Sequence, residues 1–249
     1  MADILFENAE HKCVFFEDFT TGEMISANQH MIVHQGKGIL LDPGGHKVYP
    51  KIMEAFPEYL SPIGLESIFF SHQDPDIVAS ANGWLMVTDA KGYIPAIWRR
   101  FLAHFGVDGS NMSRVVDIPD KGMIIPLGDC NLKIIPAHFL HSSGNFHVYD
   151  PVSKILYTGD LGASMAEYRF VENFEDHVQY MIGFHQRYMG SSVACRLWVD
   201  MIRELDIETI APQHGAIFQG KENVNKFLNW LEQLEVGPEL MKDVFKIPS

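Results

Sequence analysis

Within SIFFSHQDPD (Ser67 to Asp76), three side chains able to bind a metal ion fall at alternate positions: His72, Asp74 and Asp76. An apolar, strand-like run ends at Phe70. In an extended or gently turning loop, side chains at i, i+2 and i+4 point broadly the same way. Pro75 stiffens the loop and biases Asp74 away from helix, and helical pattern resumes near Ile77. Taken alone, the run reads as Asp76 capping a helix and His72 ending a strand. Repetition argues otherwise. NLKIIPAHFLHSSGN places His138 and His141 after a second apolar run, SKILYTGDLG ends a third on Asp160, and ETIAPQHG ends a fourth on His214 before Gly215. Strand ends of an α/β protein gather along one edge of the sheet, where ligands bind. Four strands finishing on His or Asp therefore predict one metal-binding constellation.

The elements that must position these residues are legible as short β-rich runs. They cover His30 to Val33, Gly38 to Leu41, Ser67 to Phe70, Leu132 to Ile135, Lys154 to Tyr157 and Glu208 to Ala211. Helical spacing is read at Ile94 to Phe105, at Phe174 to Met189 after the cap candidates Glu172 and Asn173, and at Asn223 to Leu234. No linker or low-complexity tract interrupts residues 1–249, so one α/β domain is expected. With 19 basic against 32 acidic side chains, the net charge of −13 disfavours nucleic-acid binding. No apolar run approaches the roughly 20 residues that span a bilayer, and MADILFENAE lacks the features of a signal peptide. A cytoplasmic protein with no membrane contact is expected. Cys13, Cys130 and Cys195 are isolated, which excludes paired-cysteine metal ribbons and a disulfide framework.

The motifs LLDPGG (Leu40 to Gly45), H-x-D-x-D, His141, the YTGD of Asp160 and the PQHG of His214 occur in order along the chain. Together they resemble the metallo-β-lactamase superfamily. That resemblance implies a single-domain αββα sandwich with a two-metal site on one edge. Hydrolases of the superfamily carry H-x-H-x-D-H; here Asp74 and Ile77 stand where two of those histidines would be. The remaining three imidazoles and three carboxylates suit iron or manganese better than zinc. Two ferrous ions with three carboxylates carry a net charge of about +1, and two-electron oxidation by bound dioxygen leaves that charge unchanged.

The pattern is similar to the di-iron domain of flavodiiron proteins. By that resemblance His72, Asp74 and His141 hold one iron, Asp76 and His214 hold the other, and Asp160 bridges them. Asp74 replaces a Glu of that family and Ile77 a His, which implies a more open iron and a more apolar pocket. Only 35 residues follow His214, too few for a flavodoxin domain, and no phosphate loop of the T-x-T-G-x-T type is present, so no flavin is expected in this chain. The stand-alone family of oxygen-binding di-iron proteins associated with bacterial chemotaxis fits these features. It implies a dioxygen or iron sensor, a homodimer, and a chemotaxis receptor or electron-donor protein as partner. An oxygen or nitric oxide reductase fed by a separate donor is the alternative, and a zinc-dependent hydrolase is a third.

Other residues carry smaller expectations. Asp42 is read as bonding loop backbone beneath the metals. His138 is read as a packed strand residue and His147 as a polar partner. Ala166 to Tyr188 is expected to form a helix pair closing the site, with Tyr168 or another Tyr as a candidate donor to bound oxygen. Gly22 to Gln29 is expected to overhang the metals beside methionines or aromatics. His11, His30, His34, His46, His104, His177 and His185 show no ligand-like spacing.

Overall fold

Side-chain alternation along each strand decides the layering of this chain. The computed structural model describes residues 2–248. The first half runs β1 (Ala2–Glu7), β2 (His11–Phe16), β3 (Gln29–His34), β4 (Lys37–Leu41), α1 (Tyr49–Ala55), β5 (Leu65–Phe69), α2 (Pro75–Val78), α3 (Ala81–Val87), β6 (Lys91–Pro95), α4 (Gly109–Ser113) and β7 (Val115–Ile118). The second half runs β8 (Met123–Leu127), β9 (Cys130–Pro136), β10 (Phe146–Asp150), β11 (Ile155–Tyr157), α5 (Phe174–Tyr188), α6 (Ser192–Ile202), β12 (Thr209–Ala211), β13 (Phe218–Gln219), α7 (Gly220–Gln233) and α8 (Pro238–Met241). Strands β1 to β7 form one sheet in chain order; the other has the order β13-β12-β11-β10-β9-β8.

In β2, Cys13 and Phe15 face the second sheet and join Ile32, Leu132 and Val148 in a core between the sheets. Val14 and Phe16 face the other way and pack with Ile52, Phe56 and Trp84 beneath the first helical layer. Leu156, Ile210 and Phe218 pack outward against Met181, Trp198 and Phe227 of α5, α6 and α7. The result is an αββα sandwich, the expected class. Among the described residues, no helix is long and apolar enough to cross a membrane.

Register brings the strand ends together. β11 pairs in parallel with β12 through Tyr157 opposite Ala211, so Asp160 and His214 each emerge three residues beyond the same paired level. β4 and β5 pair at Leu41 and Phe69, which sets Asp42 beside the start of the His72 loop.

Two helix expectations are corrected. Ile94 belongs to β6, where it pairs with Asp117 of β7, and Arg99–Phe105 is a 3-10 helix. Pro95 ends the strand, and Gly106, at φ 83°, closes the short helix. Ala166 to Tyr188 holds one helix rather than two. Asn173 accepts a hydrogen bond from the Asp176 N–H at 3.2 Å and so fixes the start of α5. The residues before it are irregular, with Phe170 bridging to Ile217.

Candidate metal centre

His72, Asp74 and Asp76 follow β5 on a loop that turns into α2. Asp74, not Asp76, occupies the N-cap position, and its side chain makes no capping bond. Its carboxylate is thus free to face the site. One oxygen accepts from the Gln73 side chain at 2.9 Å, and Gln73 in turn accepts from the Ser142 hydroxyl at 2.7 Å. Asp42 accepts the Ser71 N–H at 2.7 Å, holding the loop from beneath as expected. His141 comes from the loop after β9, Asp160 from the loop after β11, and His214 from the loop after β12. Glycine is required at two of these turns. Gly159 has φ +51°, and a Cβ there would lie 3.1 Å from Ser71 Oγ. Gly215 has φ +78°, and a Cβ there would collide with Ser164 Oγ.

All six expected residues converge. Asp160 lies at the centre, with one oxygen 3.8 Å from His72 Nε2 and 3.5 Å from His214 Nε2, and the other 3.0 Å from His141 Nε2. Asp74 closes one side at 3.5 Å from His72 and 3.6 Å from His141. Asp76 closes the other at 3.3 Å from His214. Most of these separations exceed a hydrogen bond. They lie close to the spacing of ligand atoms around an ion, since two donors about 2.1 Å from a metal are roughly 3.0–3.6 Å apart at angles of about 90–120°. Among the described residues, His72 Nε2 and Asp160 Oδ1 are buried without any hydrogen-bond partner. Buried polar atoms rarely go unpaired, so the donor set fits a cation held between them.

The far ring nitrogens are already committed. His214 donates Nδ1–H to the Ser26 carbonyl at 2.6 Å, and His72 Nδ1 meets Ser71 Oγ at 2.9 Å, which turns both Nε2 atoms inward. Burial opposes charge on His72, yet Asp160 and Asp74 outweigh it and raise its pKa to about 9. His214 is likewise carried well above its usual range, against burial, by Asp160 and Asp76. Burial would raise Asp160, but His72, His141 and His214 hold it well below the usual carboxylate range.

A cavity of about 670 Å³ opens over these residues. Met24, Ile25 and Ala27 overhang it as expected, and Met165, Phe184 and Tyr188 add apolar wall. Phe184 and Tyr188 stack at 4.7 Å between ring centroids and approach His141 edge-on at 6.1 and 5.8 Å. Tyr168 does not reach this wall: its hydroxyl is hydrogen-bonded to His177 Nδ1 at 2.8 Å. Tyr188 is the tyrosine at the cavity. Ile77 is fully buried in the core beneath the first helical layer and does not line the pocket.

His138 donates Nε2–H to the Asp120 carbonyl at 2.8 Å and lies edge-on to Phe146. His147 sits buried in β10 beside Trp198 and Asn145. Sequence reasoning placed Phe184 and Tyr188 in the segment closing the site without singling them out, and it missed Gln73 and Ser142, and also His46 and Lys47, which line the cavity. Only the i, i+4 spacing of Phe184 and Tyr188 offered a signal.

A profile described as ODP family beta lactamase matches residues 25–215. Among solved structures, the chain is similar to one titled peroxy diiron species of chemotaxis sensor ODP, with 43% identity, TM-score 0.89, and 98% of this chain and 99% of that one covered. It is similar to the apo state of chemotaxis sensor ODP from T. denticola, with 42% identity, TM-score 0.87, and 98% and 99% covered. A mutant flavo di-iron protein from Thermotoga maritima shares the fold at 18% identity and TM-score 0.74, with 93% of this chain and 60% of that one covered. A curated relative, an uncharacterised protein of Methanocaldococcus jannaschii, is 23% identical over 203 residues, which is 79% of this chain and 50% of that protein. The chain thus spans about half the length of the curated relative it matches. Profile and near-full-length likeness agree: the chain belongs to the ODP family of the β-lactamase fold.

Proposed function

We propose that this protein holds two iron ions at its strand-end site and binds dioxygen there as a sensor. His72, Asp74 and His141 hold one ion, Asp76 and His214 hold the other, and Asp160 bridges them. The observation that carries this reading is the pair of partnerless buried atoms, His72 Nε2 and Asp160 Oδ1, inside a set of three imidazoles and three carboxylates. When bound, a reduced iron pair supplies two of the four electrons needed to take dioxygen to water.

The chain's own residues do the rest. Ser71 and Ser26 orient His72 and His214, and the Gln73–Ser142 contact aims Asp74. Met24, Met165, Phe184 and Tyr188 shield the site from water on its open side. The likeness to solved chemotaxis sensors supports a reporting role in the cytoplasm, with a second copy of the chain and a chemotaxis receptor as partners.

Oxygen consumption tests the reading. Iron-loaded protein mixed with a reduced flavoprotein or rubredoxin should take up about one dioxygen per chain and then stop. Sustained consumption in proportion to donor supply would make the protein a reductase instead.

A further inference from the structure

A second cluster of metal-ligating side chains lies between the two sheets, at the edge opposite the cavity. Gln29, at the start of β3, lines the cavity, and His34 at its end touches this cluster. The strand's rise of about 3.3 Å per residue separates the two places by roughly 15 Å. His11 and Cys13 come from β2, Cys130 opens β9 and Asp150 closes β10. All four are buried.

The spacing is that of ligands around one ion. Cys13 Sγ is 3.5 Å from both His11 Nε2 and Asp150 Oδ2, and Cys130 Sγ is 3.7 Å from Asp150 Oδ1. A tetrahedron with metal–ligand bonds of about 2.0–2.3 Å has edges of roughly 3.3–3.8 Å. His11 Nε2 and Asp150 Oδ2 are closer, at 2.8 Å, the distance of two atoms sharing a proton. The Val152 N–H and the Ser153 hydroxyl donate to the same carboxylate and fix its direction.

The hydrogen bonds around His11 leave room for such an ion. His11 Nδ1 faces His34 Nδ1 at 3.2 Å, and His34 Nε2 faces Asp129 Oδ1 at 2.5 Å. With the His11–Asp150 contact this makes a line of three junctions, each needing one proton or cation between its atoms. Two neutral imidazoles supply two protons. The third junction takes one more positive charge, either a proton that makes one imidazole cationic or a metal ion. A metal ion on His11 Nε2 supplies it and leaves every other junction satisfied: His11 Nδ1–H donates to His34, and His34 Nε2–H donates to Asp129. That arrangement, a ligating imidazole passing its other N–H to an oriented partner, is usual around protein-bound metals. The hydroxyl of Tyr157, buried beside Cys13, has no hydrogen-bond partner of its own among the described residues.

We propose that His11, Cys13 and Asp150 form a second metal site, separate from the strand-end centre, that takes one divalent cation of zinc's preferences. One imidazole, one thiolate and one carboxylate are three ligands of the kinds zinc takes, with Cys130 Sγ on the far oxygen of Asp150. On binding, the Cys13 thiol proton and the proton on His11 Nε2 leave to solvent, and the ion takes their place.

Cobalt(II) serves as the probe. None of the six strand-end residues is a cysteine, so a cobalt–thiolate charge-transfer band reports this cluster alone. The full-length metal-free chain should give that band with one added cobalt, and zinc should abolish it. Cys195→Ser should keep the band, which leaves Cys13 and Cys130, the only other cysteines, as its source. Cys13→Ser should lose it while still loading iron at the strand-end centre. No band in the wild-type chain with cobalt in excess, or a band lost in Cys195→Ser, overturns the proposal. Those two measurements stand even where Cys13→Ser does not fold.

Discussion

Asp160 is the residue on which the strand-end site balances. Among the described residues it is the one carboxylate within 4 Å of all three imidazoles, and those imidazoles hold it ionised against the cost of burial. A side chain in that place has no substitute among its neighbours, because Asp74 and Asp76 each reach one flank only. Asp160→Ala should therefore cut anaerobic iron loading from about two ions per chain to one or fewer, measured by metal analysis. Two ions with unchanged spectra in the variant would remove Asp160 from the bridging position. The histidines of this site were readable because polar residues at the ends of apolar runs interrupt an obvious pattern. His11 and Asp150 were not. They touch across 139 positions, and only the packing of one sheet on the other places them together.

At the scale of elements, α5 forms the wall of the cavity and ties it to the metal loop. His185 donates Nδ1–H to the Met181 carbonyl and accepts the Gly162 N–H at 3.0 Å, just past Asp160. The helix was legible from its spacing and its Asn173 cap, but its reach to His141 was not, since sequence periodicity says nothing of which layer a helix covers. Asn173→Ala should cost about 1 kcal/mol in denaturant unfolding with iron content unchanged. Phe184→Ala removes a half-buried ring stacked on Tyr188 and edge-on to His141. It should cost roughly 1–2 kcal/mol. It should also shorten the lifetime of the oxygenated absorption band several-fold while two irons remain bound. An unchanged lifetime would show that this wall does not shield the site. The amphipathic stretch before Gly106 misled for a related reason: spacings of three and four suit a 3-10 helix as well as an α-helix.

Across the whole molecule, buried histidines set opposing limits on the metal-free protein. Burial lowers His30, His177 and His185 to about 4 and His147 to about 3. Below pH 6.5 the unfolded chain takes up protons that these folded rings refuse, so stability falls as pH drops toward 4. Asp42, raised by burial to about 6, pulls the other way, but it is one group against four. On the alkaline side, the stability contributed by His72 is complete below about pH 6.5 and is lost as pH rises through 9. The melting temperature of the metal-free chain should therefore peak near pH 6.5 and decline in both directions. Iron-loaded protein should instead gain on the alkaline side, because His72 and His214 must shed protons before they can bind metal. Parallel pH profiles for the two forms would contradict the assignment of those histidines as ligands.

The most direct test of the central claim is metal analysis of the purified chain coupled to its absorption spectrum before and after oxygen is admitted. The account predicts about two irons per chain and a visible band that appears on oxygenation and persists. Zinc alone in the native protein, with no band after iron loading and oxygen, would contradict it.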